Sequence, residues 1–86
     1  MRAAVLEDFG MGLHIKEVPE PELDPKDVLG RVKACSLCGS DLKIASGSMP
    51  NTPLPHIPGH EIAGEVFRTG DRMSRVKKGD RVVVFF

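Results

Sequence analysis

Short runs of alternating apolar and polar residues fill most of this chain, and Pro and Gly break them apart. Alternation with a period of two marks strands that bury one face. Ala3 to Glu7 reads as a first strand, closed by Asp8-Phe9-Gly10. Met11 to Val18 reads as a second, with Leu13 and Ile15 on one face and His14 and Lys16 on the other. Glu17 to Lys26 carries Pro19, Pro21 and Pro25 among several acidic residues. Proline has no N–H for a ladder, so this stretch is a loop or an extended crossover. Asp27 to Cys35 is the strongest strand pattern. Val28, Val32 and Ala34 share a face with Gly30 between them, and Arg31 and Lys33 take the other face.

The period then changes. Ser40 to Gly47 predicts a short helix with Ser40 as N-cap and Gly47 as its stop. Ser48 to Gly59 holds four prolines and reads as an irregular loop. Glu61 to Arg68 returns to strand, with Gly64 as a bulge or a point of close approach. Thr69 to Asp80 is turn-rich, and Lys78-Gly79-Asp80 turns into a last strand from Arg81 to Phe86. Several short strands, one short helix and long Pro-rich loops predict a mainly β chain, a partly open β-barrel. No strand alternates with a long helix, and Gly10-Met11-Gly12 starts a dinucleotide fingerprint that fails at Ile15.

Size and charge narrow the picture. A chain of 86 residues buries only about 60% of the surface its unfolded form exposes, so its core is small. Two cysteines three positions apart cannot clamp distant parts of a fold, which argues for a reducing, intracellular setting. Twelve basic and twelve acidic residues cancel. No basic stripe marks a nucleic-acid footprint, and Arg75 to Lys78 reads as a solvated turn. No window reaches the ~18 apolar residues of a membrane span, and the start lacks a signal peptide. The expectation is a soluble cytoplasmic protein. The apolar run Arg81-Val82-Val83-Val84-Phe85-Phe86 ends on the last residue, an aggregation hazard unless something covers it. The expectation is therefore an N-terminal piece of a longer protein.

Two segments carry the chemistry. Cys38-Gly39-Ser40-Asp41 offers a thiolate, a hydroxyl and a carboxylate, and Gly59-His60-Glu61 offers an imidazole and a second carboxylate. Sulfur, nitrogen and oxygen donors are what a catalytic zinc takes from a protein. A helix start lowers a thiol pKa toward the ligating thiolate. Ser40 can relay a proton or cap the helix. Asp41 can ligate, but it fits better as the carboxylate that orients His60. Glu61 faces away from His60 along a strand, or serves as a third or exchanging ligand. Taken singly, Cys38 also reads as a small buried hydrophobe, and His60 as a hydrogen-bonded loop residue. Cys35-Ser36-Leu37-Cys38 has the CxxC spacing of a redox dithiol, but that motif opens a long helix in a βαβ unit, and none is visible. His56 is an alternative ligand, while His14 lies on the polar face of a strand.

Val32-Lys33-Ala34-Cys35-Ser36-Leu37-Cys38-Gly39-Ser40-Asp41 resembles the first zinc-ligand segment of the zinc-dependent alcohol dehydrogenases, the medium-chain dehydrogenase/reductase group. Pro58-Gly59-His60-Glu61-Ile62-Ala63-Gly64-Glu65-Val66 resembles the second, and Lys78-Gly79-Asp80-Arg81-Val82-Val83-Val84 the strand that follows. The resemblance runs through residues 1–86 in order. It implies the N-terminal part of a GroES-like β-barrel catalytic domain, without the nucleotide-binding domain. It implies Cys38 and His60 as catalytic zinc ligands, with Glu61 as an exchanging one. It also implies Ser40 as the start of a proton relay, Asp41 as the orienter of His60, and Gly39 and Ser40 beside NAD or NADP. The Zn2+ would act as a Lewis acid while hydride passes between a small alcohol or aldehyde and NAD(P). A homo-oligomer, with no nucleic-acid or membrane partner, is implied for the whole protein. Many relatives carry His where this chain has Lys43, which leaves a relay ending there without its imidazole. A non-catalytic barrel module and a zinc-free reductase are the rival readings.

Overall fold

The computed structural model describes residues 1–84, and the chain separates into two compact units. One comprises Met1–Glu20 with Leu37–Gly59, and the other Pro21–Ser36 with the chain from His60 onward. Among the described residues the fold is mainly β with one short helix, as the pattern predicts, and the sheets are open. Of the last predicted strand, Phe85 and Phe86 lie outside the described residues.

In the first unit, β1 (Arg2–Leu6) and β2 (Leu13–Glu17) form an antiparallel hairpin in which Ala4 faces Ile15 and Leu6 faces Leu13. Lys16 of β2 donates to the carboxylate of Glu7, the residue just past β1, and holds that carboxyl below its ordinary pKa. The Pro-rich loop is stitched to β1 where Leu6 and His56 exchange backbone bonds of 2.7 and 2.9 Å. Val5 and Leu6 are buried there, and burying one such side chain stabilises by about 1.5–3 kcal/mol. The alternation in β2 does not translate into one covered face. All five of its residues are exposed, Ile15 at 69%. A two-stranded ribbon has no second layer of its own to cover an apolar face.

Helix α1 (Gly39–Ser46) begins earlier than expected. Its N-cap is Cys38, in extended conformation, rather than Ser40. The front of the helix is closed by Asp41, one turn in, whose carboxylate accepts the Cys38 N–H. A negative side chain in the first turn also suits the helix dipole. Gly47 ends the helix as predicted. Its φ of 87° is left-handed, and its N–H reaches the Ile44 carbonyl at 3.2 Å while that of Ser48 reaches Lys43 at 2.9 Å.

In the second unit β3 (Val28–Ser36), β4 (Glu61–Thr69) and β5 (Arg81–Val83) form an antiparallel sheet with β4 in the middle. Register shifts at Leu29/Gly30 and Val32/Ala34 bend β3 and break the simple alternation read from the sequence. Gly64 is a point of close approach, as expected. It pairs with Val32, and a Cβ there would strike the Arg31 carbonyl. Val66 is fully buried in the centre of β4. It is also the anchor for the predicted turn before β5, with its N–H bonded to the Asp80 carbonyl and its carbonyl to the Gly79 N–H.

That turn makes a pH-dependent prediction. The Lys77 backbone N–H, and after it the Lys77 ammonium, hold the Asp80 carboxyl below its ordinary pKa. A carboxyl whose folded pKa is depressed contributes stability above its unfolded pKa, and that contribution is lost as pH falls through the folded value. Lys77→Ala keeps the backbone N–H but removes the ammonium, so Asp80 titrates closer to the ordinary carboxylate range. A carboxyl titration by NMR that shows no upward shift refutes this.

Candidate functional site

The segment Leu37 to Asp41 leaves β3 and turns directly into α1. Cys38 is therefore half-buried at the helix start. The Ser40 hydroxyl, on the first helical turn, donates to Cys38 Sγ at 3.3 Å. Both capping and relay were open to this serine, and here its proton is turned toward the sulfur. Gly39, between them, is exposed, and nothing lies within 4 Å of where a Cβ would project. A flat ligand can reach the backbone there.

Asp41 is the one buried charged side chain among the described residues, 4% exposed. A buried carboxylate must be hydrogen-bonded or it neutralises. Its Oδ2 accepts the Cys38 N–H at 2.9 Å, and its Oδ1 accepts the Gly59 N–H at 3.1 Å. Two predicted segments, 38–41 and the end of the Pro-rich loop, thus meet on one carboxylate inside the first unit. Gly59 has φ 108°, a left-handed conformation that side chains disfavour. The chain passes from Gly59 straight into His60.

His60 begins the later segment of the second unit, and Glu61 is the first residue of β4. His60 is half-buried. Glu61 is exposed and pairs in register with Ser36. Both line an open cleft of about 530 Å³ walled by Ala34, Ile62, Ala63 and Val83. His56 is committed through its backbone to Leu6. Cys35 is exposed on β3, and His14 is exposed on β2. Lys43 is exposed on α1. The donor set of thiol, imidazole and carboxylate suits zinc by its chemistry, since zinc takes sulfur, nitrogen and oxygen ligands. What sequence reasoning missed is Cys38 as helix cap and the bond from Gly59 to Asp41. Only the S/T/D/N preference at caps and the Gly before His60 hinted at either.

Residues 24–86 match the model of the alcohol dehydrogenase GroES-like domain. The chain belongs to that family. An alcohol dehydrogenase of Geobacillus stearothermophilus is 46% identical over 83 residues, covering 95% of this chain and 25% of its own length. The solved apo form of zinc-dependent alcohol dehydrogenase 2 from Streptococcus pneumonia superposes with a TM-score of 0.88 at 31% identity, over 96% of this chain and 24% of that one. A chain from Sinorhizobium meliloti 1021 assigned as a zinc-binding dehydrogenase, solved bound to NADP, superposes with a TM-score of 0.83 at 36% identity, over 93% and 23%. The chain thus spans about a quarter of the length of the relatives it matches. Its membership and its mainly β GroES-like fold agree with the expectation from sequence. No helix among the described residues is long and apolar enough to cross a membrane.

Proposed function

We propose that residues 1–86 are the N-terminal part of the catalytic domain of a zinc-dependent oxidoreductase that moves hydride between a small alcohol or aldehyde and NAD(P). The whole protein works in the cytoplasm as a homo-oligomer under the same proposal. The observation that carries it is the Asp41 carboxylate, which binds the N–H of Cys38 and the N–H of the residue before His60. That arrangement supports a shared role for the two donor segments, and kinship with zinc-type dehydrogenases supports zinc as the metal. Cys38 and His60 would hold it, with Glu61 as an exchanging ligand.

When bound, the zinc supplies Lewis acidity to the substrate oxygen, and the nicotinamide accepts or returns the hydride. The chain's own residues do the rest. The Ser40 hydroxyl is both donor and acceptor, so it can rotate from Cys38 Sγ, accept the proton of a bound alcohol and pass its own proton on to solvent. Gly39 leaves the backbone open to the nicotinamide ring. Asp41, buried, holds the Gly59 N–H and so orients the imidazole-bearing segment.

Zinc analysis of the whole protein, with alcohol-dependent reduction of NAD(P)+, tests this reading. Full activity without bound zinc overturns it. The 86-residue chain alone is expected to show no turnover, because two or three donors without the remaining ligand and the nucleotide domain make a weak site. Dehydrogenase activity in that purified chain would refute the expectation.

A further inference from the structure

We propose that Arg31, Lys78 and Glu65 form a binding site for a hydrogen phosphate group beside the Phe67 ring. The site lies wholly inside the second unit and does not depend on the zinc reading. Arg31 and Glu65 stand opposite each other on β3 and β4. Phe67 follows two positions after Glu65, so the three side chains share one face of the sheet. Among the described residues no ion pair joins the Arg31 guanidinium to the Glu65 carboxylate. The guanidinium lies over the Phe67 ring instead, 4.7 Å from its centroid. The Lys78 ammonium comes within 5.9 Å of the same centroid from the turn before β5. Arg31, Glu65, Val66, Phe67 and Lys78 together line one hollow of about 220 Å³. Arg68 also reaches the ring, at 5.8 Å, but does not line the hollow.

Two cations drawn to one ring repel each other. Among the described residues neither Arg31 nor Lys78 has an ion-pair partner to offset that repulsion, and an anion between them does so. Backbone holds both cations in place. Arg31 sits in the β3–β4 ladder, and Lys78 precedes Gly79, whose N–H bonds the Val66 carbonyl at 2.9 Å. Drug-sized ligands fill about 300–1,000 Å³, so this smaller hollow suits a single tetrahedral group. Glu65 then selects the anion. Its carboxylate only accepts hydrogen bonds, so it repels an oxyanion that has no proton and binds one that keeps one. Hydrogen phosphate offers bare oxygens to the guanidinium and the ammonium, and an O–H to the carboxylate as a charge-assisted bond. Sulfate has the same shape but carries no proton near neutral pH. The free phosphate ion and a phosphomonoester share this chemistry.

The test titrates the whole protein with inorganic phosphate by calorimetry, at low ionic strength because salt screens exposed charges, and with NAD(P) present. Wild type binds phosphate saturably, and sulfate about tenfold more weakly, the scale of one hydrogen bond to a charged group. Arg31→Gln and Lys78→Gln each weaken phosphate binding by about tenfold on the same scale. Glu65→Gln closes the gap between phosphate and sulfate, because its amide donates to either anion. Lys33→Gln is the control and leaves the affinity unchanged, since Lys33 lines a different hollow. Absence of saturable phosphate binding in wild type overturns the proposal. So does sulfate binding as tight as phosphate. Both comparisons use wild type alone and stand whether or not a variant folds. Phosphate affinity that neither Arg31→Gln nor Lys78→Gln changes also overturns it, because the ion then sits elsewhere. Glycerol phosphate separates the two sources. Binding tighter than that of inorganic phosphate supports the site as one for phosphomonoesters, and weaker binding supports it as one for the free ion.

Discussion

Cys38→Ala in the whole protein is expected to abolish stoichiometric zinc uptake and to cut kcat/KM by roughly a thousandfold. The size follows from the role. A Lewis-acid metal stabilises transition-state charge by several kcal/mol, and about 4 kcal/mol corresponds to roughly three powers of ten in rate. Loss of a ligand should exceed the 10–100-fold cost of losing a supporting residue. Cys38→Ser should retain a trace of metal, since an alcohol oxygen is a poorer zinc ligand than a thiolate but keeps the geometry. Because Cys38 also caps α1, its removal could act through the helix instead. The Cys38 side chain is only one half of the capping box at the helix front, however. The other half, the Asp41 carboxylate on the Cys38 backbone N–H, is retained with alanine. The circular dichroism of C38A should therefore match wild type while its zinc content falls. A C38A protein that holds one zinc per chain with wild-type affinity rules out the thiolate as a ligand.

The largest effect on stability is expected from Gly70→Ala. Gly70 is buried, and a Cβ there would run into the backbone carbonyls of Asp24 and Pro25 at once. Those carbonyls are not free to move. The Asp24–Asp27 turn is closed by a 3.0 Å backbone bond and tied to Gly70 and Arg72 by bonds of 2.9 and 2.8 Å. Overpacking of this kind costs about 1–3 kcal/mol or more, a large share of the 5–15 kcal/mol that holds a typical domain together. Backbone that cannot yield places this site at the upper end. A denaturant midpoint that falls sharply at unchanged slope checks it. Gly39→Ala is the control, since nothing lies near its Cβ position and its stability should change by less than about 0.5 kcal/mol. Equal effects at the two positions would show that the close contact at Gly70 is not what matters there.

The contrast between these glycines shows where sequence reasoning stops. Gly64 stood out because it interrupted an apolar strand, and the structure gives it the expected close approach. Gly47 stood out because it followed a helical run, and it ends α1 in the left-handed region. Gly70 sat in a turn-rich stretch with nothing local to distinguish it. Its constraint comes from carbonyls more than forty positions earlier in the chain, and no local pattern encodes a contact of that range. The strands tell the same story. Their places were legible to within two or so residues, because a period of two is a local signal. Their burial was not. Ile15 and Val32 sit on faces that looked apolar and inward, yet they are 69% and 60% exposed. Burial depends on whether a second layer exists.

For the candidate site, the residue types were legible one by one: a thiol, a hydroxyl and a carboxylate in four positions, then an imidazole behind glycine. Their assignment to tasks was less so. Ser40 suited a helix cap by its chemistry, but Cys38 took that place because Asp41 reaches back to the Cys38 amide and starts the helix early. Asp41 suited a partner for His60 by its chemistry, and the structure adds that its two oxygens also accept the amides of Cys38 and Gly59.

By itself the sequence determined the β-rich class, the one short helix with its glycine stop, and the donor types that point toward zinc, because each of these follows from neighbours a few positions apart. Tertiary structure alone decided which donors are buried, which glycines have no room, and that Asp41 joins two segments separated by a proline-rich loop. The physical reason is that hydrogen bonds and excluded volume act between whatever atoms folding brings together, and a carboxylate carries no mark in the sequence of which distant amide it will hold.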